Sequence, residues 1–320
     1  MSFCTRTMAA LPLTMLAVCT GASAAAPWPE RAIRVIIPWA PGGSTDIVGR
    51  ILSAEMPNTL KQQVIIDNRA GGGSIVGMQL AAAASPDGYT LMLTSTGYAH
   101  LIQKTNVDLV ASFEPVAMVG TADSALVVHP ALPVNSVKEL IALAKKKPGQ
   151  LLYSSSGIGG FPHMNTELFK LKTGIDLVHV PFKGGGPAIA DTAAGNTQIQ
   201  IGSVPTEIAF IRSGKLKVLG VGGKKPNPAL PGVPLISDTV PGYVTYIWYG
   251  FFAPKGTPAN VISRMHDAVE AATASAFIVK KLDEQGVAVE KMSSADFGKL
   301  MKSETDQWRE VINAAGIKGE

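Results

Sequence analysis

The chain has 320 residues, 46% hydrophobic and 16% charged, so it can bury a substantial core and is not a disordered polymer. Its formal net charge of +4 is mild and its Lys and Arg residues are scattered, which argues against a nucleic-acid surface, where cations must cluster.

The first 26 residues, MSFCTRTMAALPLTMLAVCTGASAAA, place Arg6 ahead of an apolar run from Met8 to Val18 and end in small residues, with Ala22, Ala24 and Ala26 as cleavage options. That is the layout of a secretory signal peptide, so residues 1–26 are expected to be removed on export to the periplasm. The apolar run is about a dozen residues long, too short for a bilayer span of roughly 20. Val18 before Cys19 fits a lipoprotein site poorly. Both cysteines, Cys4 and Cys19, fall in this leader, and its loss takes away Arg6 to leave +3. Without a thiol, the mature chain is expected to have no disulfide, no thiol catalysis and no cysteine-type zinc site.

Downstream, apolar strand-like runs alternate with helical patterns. Strands are predicted at Ile33–Trp39, Gln63–Asp67, Tyr89–Ser95, Val116–Val119, Leu126–His129, Leu151–Ser154, Leu177–Val180, Gln198–Ser203 and Lys217–Val221. Most are apolar on both faces, as parallel strands covered by helices are. Ser136 and Glu139 have the spacing of a capping box, and Lys145-Lys146-Lys147 closes that helix at the negative end of its dipole. Thr257-Pro258 opens a helix with Val261, Met265 and Val269 on one side, and a final helix from about Ala295 to Ala314 ends at Gly316. This order predicts an α/β fold with mostly parallel sheets. The long segments Val116–His129, interrupted at Gly120 to Asp123, and Tyr243–Phe252 are read as two crossings between lobes. They divide the chain into a first lobe of 27–123 and 245–320 and a second lobe of 124–244, joined by a two-strand hinge.

Three strand exits carry glycine. IIPWAPGGSTD, Ile36 to Asp46, runs from a strand into a helix bearing Ile47, Val48, Ile51 and Leu52. YSSSGIGGFPH, Tyr153 to His163, and VPFKGGGPAIAD, Val180 to Asp191, repeat the arrangement. The first amides of a helix lack internal partners and sit at its positive end, so they bind anions, and glycine lets that backbone come close. In open α/β sheets ligands lie beyond the carboxyl ends of strands, where these loops are expected to face one another across a cleft. Trp39 and Tyr98 fall at strand ends, placed to wall a pocket, and His163 follows a loop and is expected near the cleft.

Other chemistries lack their residues. There is no G-x-G-x-x-G, and Gly222-Gly223-Lys224 is followed by Lys225 where a Walker loop needs Ser or Thr. There is no G-x-S-x-G elbow, no base identifiable for Ser44 or Ser155, and no H-E-x-x-H among the five histidines. His129 and His179 lie in predicted strands and read as core residues; Asp46 and Asp191 read as helix-capping or first-turn carboxylates rather than an acid/base pair. The chain is therefore not expected to be an enzyme, and no catalytic residue, metal or cofactor is assigned. A secreted hydrolase or isomerase using Asp46 or His163 is the competing reading, distinguished by turnover.

The stretches VIIPWAPGGSTDIVGRIL, IIDNRAGGGSIVGMQLAAAASPDGYTLML, VHVPFKGGGPAIADTAAG, WYGFFAPKGTPANVISRMHDAV and AAGIKGE resemble, in order and over essentially the whole mature chain, the Bug family of periplasmic solute receptors of tripartite tricarboxylate transporters. The resemblance implies a two-lobed flytrap fold of the periplasmic-binding-protein type and capture of a small organic carboxylate for a membrane permease, by a protein expected to be monomeric. A receptor that docks on a membrane sensor kinase is an alternative the sequence does not separate. Carried over by position, the ligand-binding residues would be Ala40, Gly43, Ser44, Thr45 and Asp46, with Ser95 and Thr96, from the first lobe. From the second they would be Ser154, Ser155, Ser156, Gly157, His163, Lys183, Gly184 and Gly185. The chain departs from the family pattern at Gly195-Asn196-Thr197-Gln198 and at Gly202-Ser203, where relatives usually show acidic residues, and in Leu101–Asp108, which lacks the usual tyrosine-proline pattern. Fewer acids on the second-lobe wall favour a plain or aromatic carboxylate over an amino acid.

Overall fold

A computed structural model describes residues 28–319; the signal-peptide reading of 1–26 lies outside the described residues. The strands are β1 (Ile33–Ile37), β2 (Val64–Asn68), β3 (Thr90–Ser95), β4 (Phe113–Val128), β5 (Leu152–Ser155), β6 (Val178–Pro181), β7 (Ile199–Ser203), β8 (Lys217–Val221), β9 (Tyr246–Pro254) and β10 (Val287–Val289). The helices are α1 (Ser44–Glu55), α2 (Pro57–Leu60), α3 (Ile75–Ala82), α4 (Ala99–Ile102), α5 (Val137–Lys146), α6 (Phe161–Thr173), α7 (Gly185–Ala193), α8 (Val204–Arg212), α9 (Ala259–Ala274), α10 (Ala276–Glu284) and α11 (Ser294–Ala315).

Consecutive strands joined through helices pair in parallel at both ends of the sheet path β2-β1-β3-β9-β4-β7-β5-β6. β1 runs parallel to β2 and β3, and β5 parallel to β6 and β7. The two long strands join these units antiparallel. β9 lies between β3 and β4, and β4 changes partner along its length: Phe113 to Asp123 face β9, whereas Ser124 to Val128 face β7 and β8. The segments predicted as Val116–Val119 and Leu126–His129 are thus one continuous strand. Gly120 does not interrupt it; the register shifts beside it, and a Cβ there would stand 2.1 Å from the Ala288 carbonyl oxygen of β10. The second crossing starts later than Tyr243, because that side chain is drawn into a core and its hydroxyl donates to the Asn165 carbonyl at 3.1 Å.

Strands apolar on both faces become strands buried on both faces. Ile33, Val35 and Ile37 pack with Leu93, Phe251, Met265 and Val269 on one side of the sheet. Ile36 and Met92 pack with Trp248, Phe252, Phe297 and Met301 on the other. Leu126, Val128, Tyr153, Ile199, Ile201 and Tyr243 form a separate core, and Ala125, Val204, Ile208 and Val221 another. The molecule therefore has two lobes linked by β4 and β9, a periplasmic-binding-protein architecture. Capping signals are met in detail: the Glu139 amide donates to Ser136 Oγ at 3.2 Å, and α11 ends at Gly316 in the left-handed region. Pro258 is the residue before α9, one place from its predicted first turn, and Thr257 Oγ1 donates back to the Pro254 carbonyl at 2.8 Å.

Candidate ligand-binding site

Between the lobes lies a cavity lined by Trp39, Gly43, Ser44, Thr45, Ser95, Thr96, Ser156, Phe161, Pro162, Gly185, Ser203, Thr206 and Ile247. Its volume is about 30 Å³, on the scale of roughly one or two water molecules. None of the lining side chains carries a charge. Instead, α1, α6, α7 and α8 each place a residue of their first turn on the wall, so four positive helix ends meet in one small space. The hydroxyls of Ser44, Thr45, Ser95, Thr96, Ser156, Ser203 and Thr206 surround that space, with Trp39, Phe161, Pro162 and Ile247 as its apolar walls.

The residues expected at the site divide into two groups. Gly43, Ser44, Thr45, Ser95, Thr96, Ser156 and Gly185 line the cavity. Ala40, Lys183 and Gly184 lie at one flank, where the Ala40 amide donates to the Lys183 carbonyl at 3.1 Å and closes the lobes backbone to backbone. Gly184 fits because a Cβ there would meet the Ala40 nitrogen at 2.7 Å. Asp46 does not line the cavity. Its Oδ2 accepts from the Gly42 amide and from Arg50 Nε, each at 3.0 Å, and so holds the glycine turn in shape. Burial opposes its charge, but Arg50, the Gly42 amide and Asn68 together keep the carboxyl below its ordinary value.

Ser154, Ser155, Gly157 and His163 also lie off the cavity wall; Gly157 instead approaches the first lobe, where a Cβ on it would stand 3.3 Å from Gly73 Cα. Ser154 Oγ bonds Thr192 Oγ1 at 2.7 Å and accepts from Gln200 Nε2 at 3.0 Å. The His163 ring, expected near the cleft, is packed against His179 with centroids 4.3 Å apart, and its Nδ1 accepts from the Gly159 amide at 3.1 Å. Burial, with the Lys170 charge adding to it, lowers the His163 imidazole to about 4. Burial first, and then His163, lowers that of His179 to about 3. Ser155 Oγ does meet a histidine, His179 Nε2, at 2.5 Å. The serine is fully buried and also accepts from the Gly157 amide at 3.1 Å, so the pair braces the loop and presents no nucleophile to the cavity. His129, read as a core residue, is only half-buried and follows the end of β4, where its Nδ1 accepts from the Ala131 amide at 3.3 Å.

Sequence reasoning missed the α8 end of the site. Thr206 Oγ1 accepts from the Ser44 amide at 3.0 Å, from one lobe to the other, and contacts Ser203 Oγ at 3.0 Å. The available signal was Ser203 before Val204-Pro205, a cap residue ahead of a first-turn proline. Behind Thr206, Glu207 is fully buried, and its Oε1 accepts from the Gly202 amide at 2.9 Å. Burial raises its carboxyl well above the ordinary range, against the pull of that amide. Its Oε1 is 2.5 Å from where a Cβ on Gly202 would stand; the space beside this glycine is filled from the helix. Tyr98 walls no part of the cavity. It closes the opposite flank: its amide donates to the Gly159 carbonyl at 2.8 Å, next to a bridge between Gly97 and Gly160. Among the described residues no group of His, Cys, Asp and Glu could hold a metal ion, and no helix is long and apolar enough to cross a membrane.

A family profile described as "Tripartite tricarboxylate transporter family receptor" matches residues 48–317. Protein BugT of Bordetella pertussis is 32% identical over 297 residues, covering 91% of both chains. Among solved structures, the periplasmic binding protein BugD superposes with a TM-score of 0.88 at 28% identity, over 92% of this chain and all of that one. A Rhodopseudomonas palustris protein with adipate, "R. palustris Rpa4515", also gives 0.88, at 32% identity over 91% and 99%.

Proposed function

The chain belongs to the tripartite tricarboxylate transporter receptor family, the Bug proteins, and from that premise we propose that it captures a small organic carboxylate between its lobes and delivers it to a membrane permease of the tripartite tricarboxylate type. Its relatives are solute-binding proteins of the periplasm, not enzymes. The observation that carries the reading is the convergence of four helix N-termini on a cavity with no charged wall. Such a site gives an anion a positive field and many donors, and gives a cation nothing to pair with.

The binding residues in this reading are those at the cavity wall, with Thr206, Ser203 and Trp39 added to the expected set. The apolar wall of Trp39, Phe161, Pro162 and Ile247 suits an aliphatic or aromatic body, in keeping with adipate in a relative. The cavity is small, about 30 Å³, and in this reading the lobes part to admit such a molecule. In this reading the hinge is where β4 changes partner, at Asp123 and Ser124, and just before β9, which supports the expected division into a lobe of 27–123 with 245–320 and a lobe of 124–244. The ligand favours the closed arrangement because only there does it touch both lobes. In melting experiments on a panel of mono-, di- and tricarboxylates and benzoate-type acids, at least one acid should raise Tm with concentration, by the equivalent of about 2.7 kcal/mol at a hundred times its Kd. Flat curves across the panel would sink the reading, and recovery of a chemically altered ligand would favour an enzyme.

A further inference from the structure

One carboxylate outside the cavity gathers an unusual set of donors. Glu304, on α11 and nearly fully buried, accepts from Tyr246 Oη at 2.5 Å, from Trp248 Nε1 at 2.6 Å and from Tyr98 Oη at 3.0 Å. Each donor lies at the junction of the two lobes. Tyr246 and Trp248 are on β9, one of the two linking strands. The Trp248 amide donates to Oγ1 of Thr96, a cavity-wall residue, at 3.1 Å. Tyr98 carries the amide that crosses to Gly159. Beyond Glu304 the helix continues over the cleft: Trp308 stacks on Tyr98 with centroids 5.3 Å apart, and Ile312 shares a buried cluster with Tyr98 and with Met164 of the opposite lobe.

We propose that α11 is a strap across the cleft and that Glu304 is its anchor, a positioning residue that stabilises the closed lobes without touching ligand. The Tyr98, Met164 and Ile312 cluster draws on both lobes and on α11 and is complete only when the lobes are together. Glu304 fixes the near side of that cluster to the linking strand through three hydrogen bonds, from Tyr246, Trp248 and Tyr98, that satisfy a buried carboxyl. Opening the cleft separates Met164 from Tyr98 and exposes the apolar face of Trp308 and Ile312, so the helix biases the lobes toward closure. The inference rests on the opening and closing that a receptor requires, but its test needs no ligand, so its failure would leave the carboxylate reading intact.

Amide hydrogen exchange reads the latches directly. The Ala40 amide closes one flank of the cleft and the Tyr98 amide the other, and only the second touches the strap. In the ligand-free full chain, Glu304→Gln, and separately Trp308→Ala, should speed exchange at both Ala40 and Tyr98 by at least tenfold. The strand amides of Val35 and Leu93 should keep wild-type protection. Acceleration at Tyr98 alone would make α11 a local support, and equal acceleration at the strands would make it ordinary core. Wild-type amides at Ala40 and Tyr98 that exchange freely would leave no closed state to strap. Any of these three results overturns the proposal.

Discussion

Gly186 carries one of the tightest approaches between the lobes. A Cβ on it would stand 2.3 Å from the Pro41 carbonyl oxygen, whereas one on Gly43 would meet Gly185 at an ordinary 3.5 Å. Gly186 does not occupy the left-handed region, so no left-handed strain bars alanine, although Pro187 follows it and crowds a Cβ in the first turn of α7. The conflict with Pro41 arises only when the lobes meet. Gly186→Ala should therefore lower ligand affinity at least tenfold by calorimetric titration while the far-UV circular dichroism stays that of the wild type. Unaltered affinity would mean that the two glycine turns do not come together in the bound state.

At the level of elements, the first-turn residues of α8 predict a second effect. Thr206→Val keeps the shape of the side chain but leaves the Ser44 amide without its acceptor across the cleft. Loss of a buried partner costs about 1–3 kcal/mol, so affinity should fall by roughly tenfold or more, seen mainly as faster ligand release in stopped-flow traces. A Thr206→Ser variant, which retains the hydroxyl, should restore it. The elements differ in how far the sequence announced them. The strand exits at Gly43, Ser156 and Gly185 were legible because glycine and small hydroxyls have a local reason to be there. α8 lacks a glycine cluster, and its contribution depends on β7 lying beside β4 and β5, a pairing that no local pattern encodes. The contact between Ser155 and His179 was hidden for the same reason: the residues come together only through the parallel register that sets Tyr153 against His179. Tyr98 was placed at the right strand end but in the wrong role, since its hydroxyl is claimed by Glu304 from more than two hundred residues away.

For the whole molecule, the stacked imidazoles set how stability responds to acid. His163 and His179 have folded values of about 4 and about 3, below the ordinary 6.5. Above pH 6.5 both are neutral in either state and their packing is fully available. As pH falls below 6.5 the unfolded chain takes up protons that the folded one refuses, and stability declines until the folded values are reached. His163 alone should account for about 1.5 kcal/mol of loss between pH 6.5 and 5. Urea midpoints should fall over that interval, and His163→Gln should flatten the decline; an equally steep fall in the variant would assign it elsewhere. Glu207 acts with the opposite sign, because its raised carboxyl makes folding harder as pH climbs past the unfolded value near 4.5.

The two flanking latches, Ala40 to Lys183 and Tyr98 to Gly159, are made entirely from main-chain atoms. Their donor and acceptor atoms therefore survive side-chain exchange at positions 40, 98, 159 and 183, short of a proline that removes an N–H. Walls such as Trp39, Phe161 and Ile247 are then free to diversify, and a gene duplicate can acquire a new metabolite preference without having to reinvent the motion.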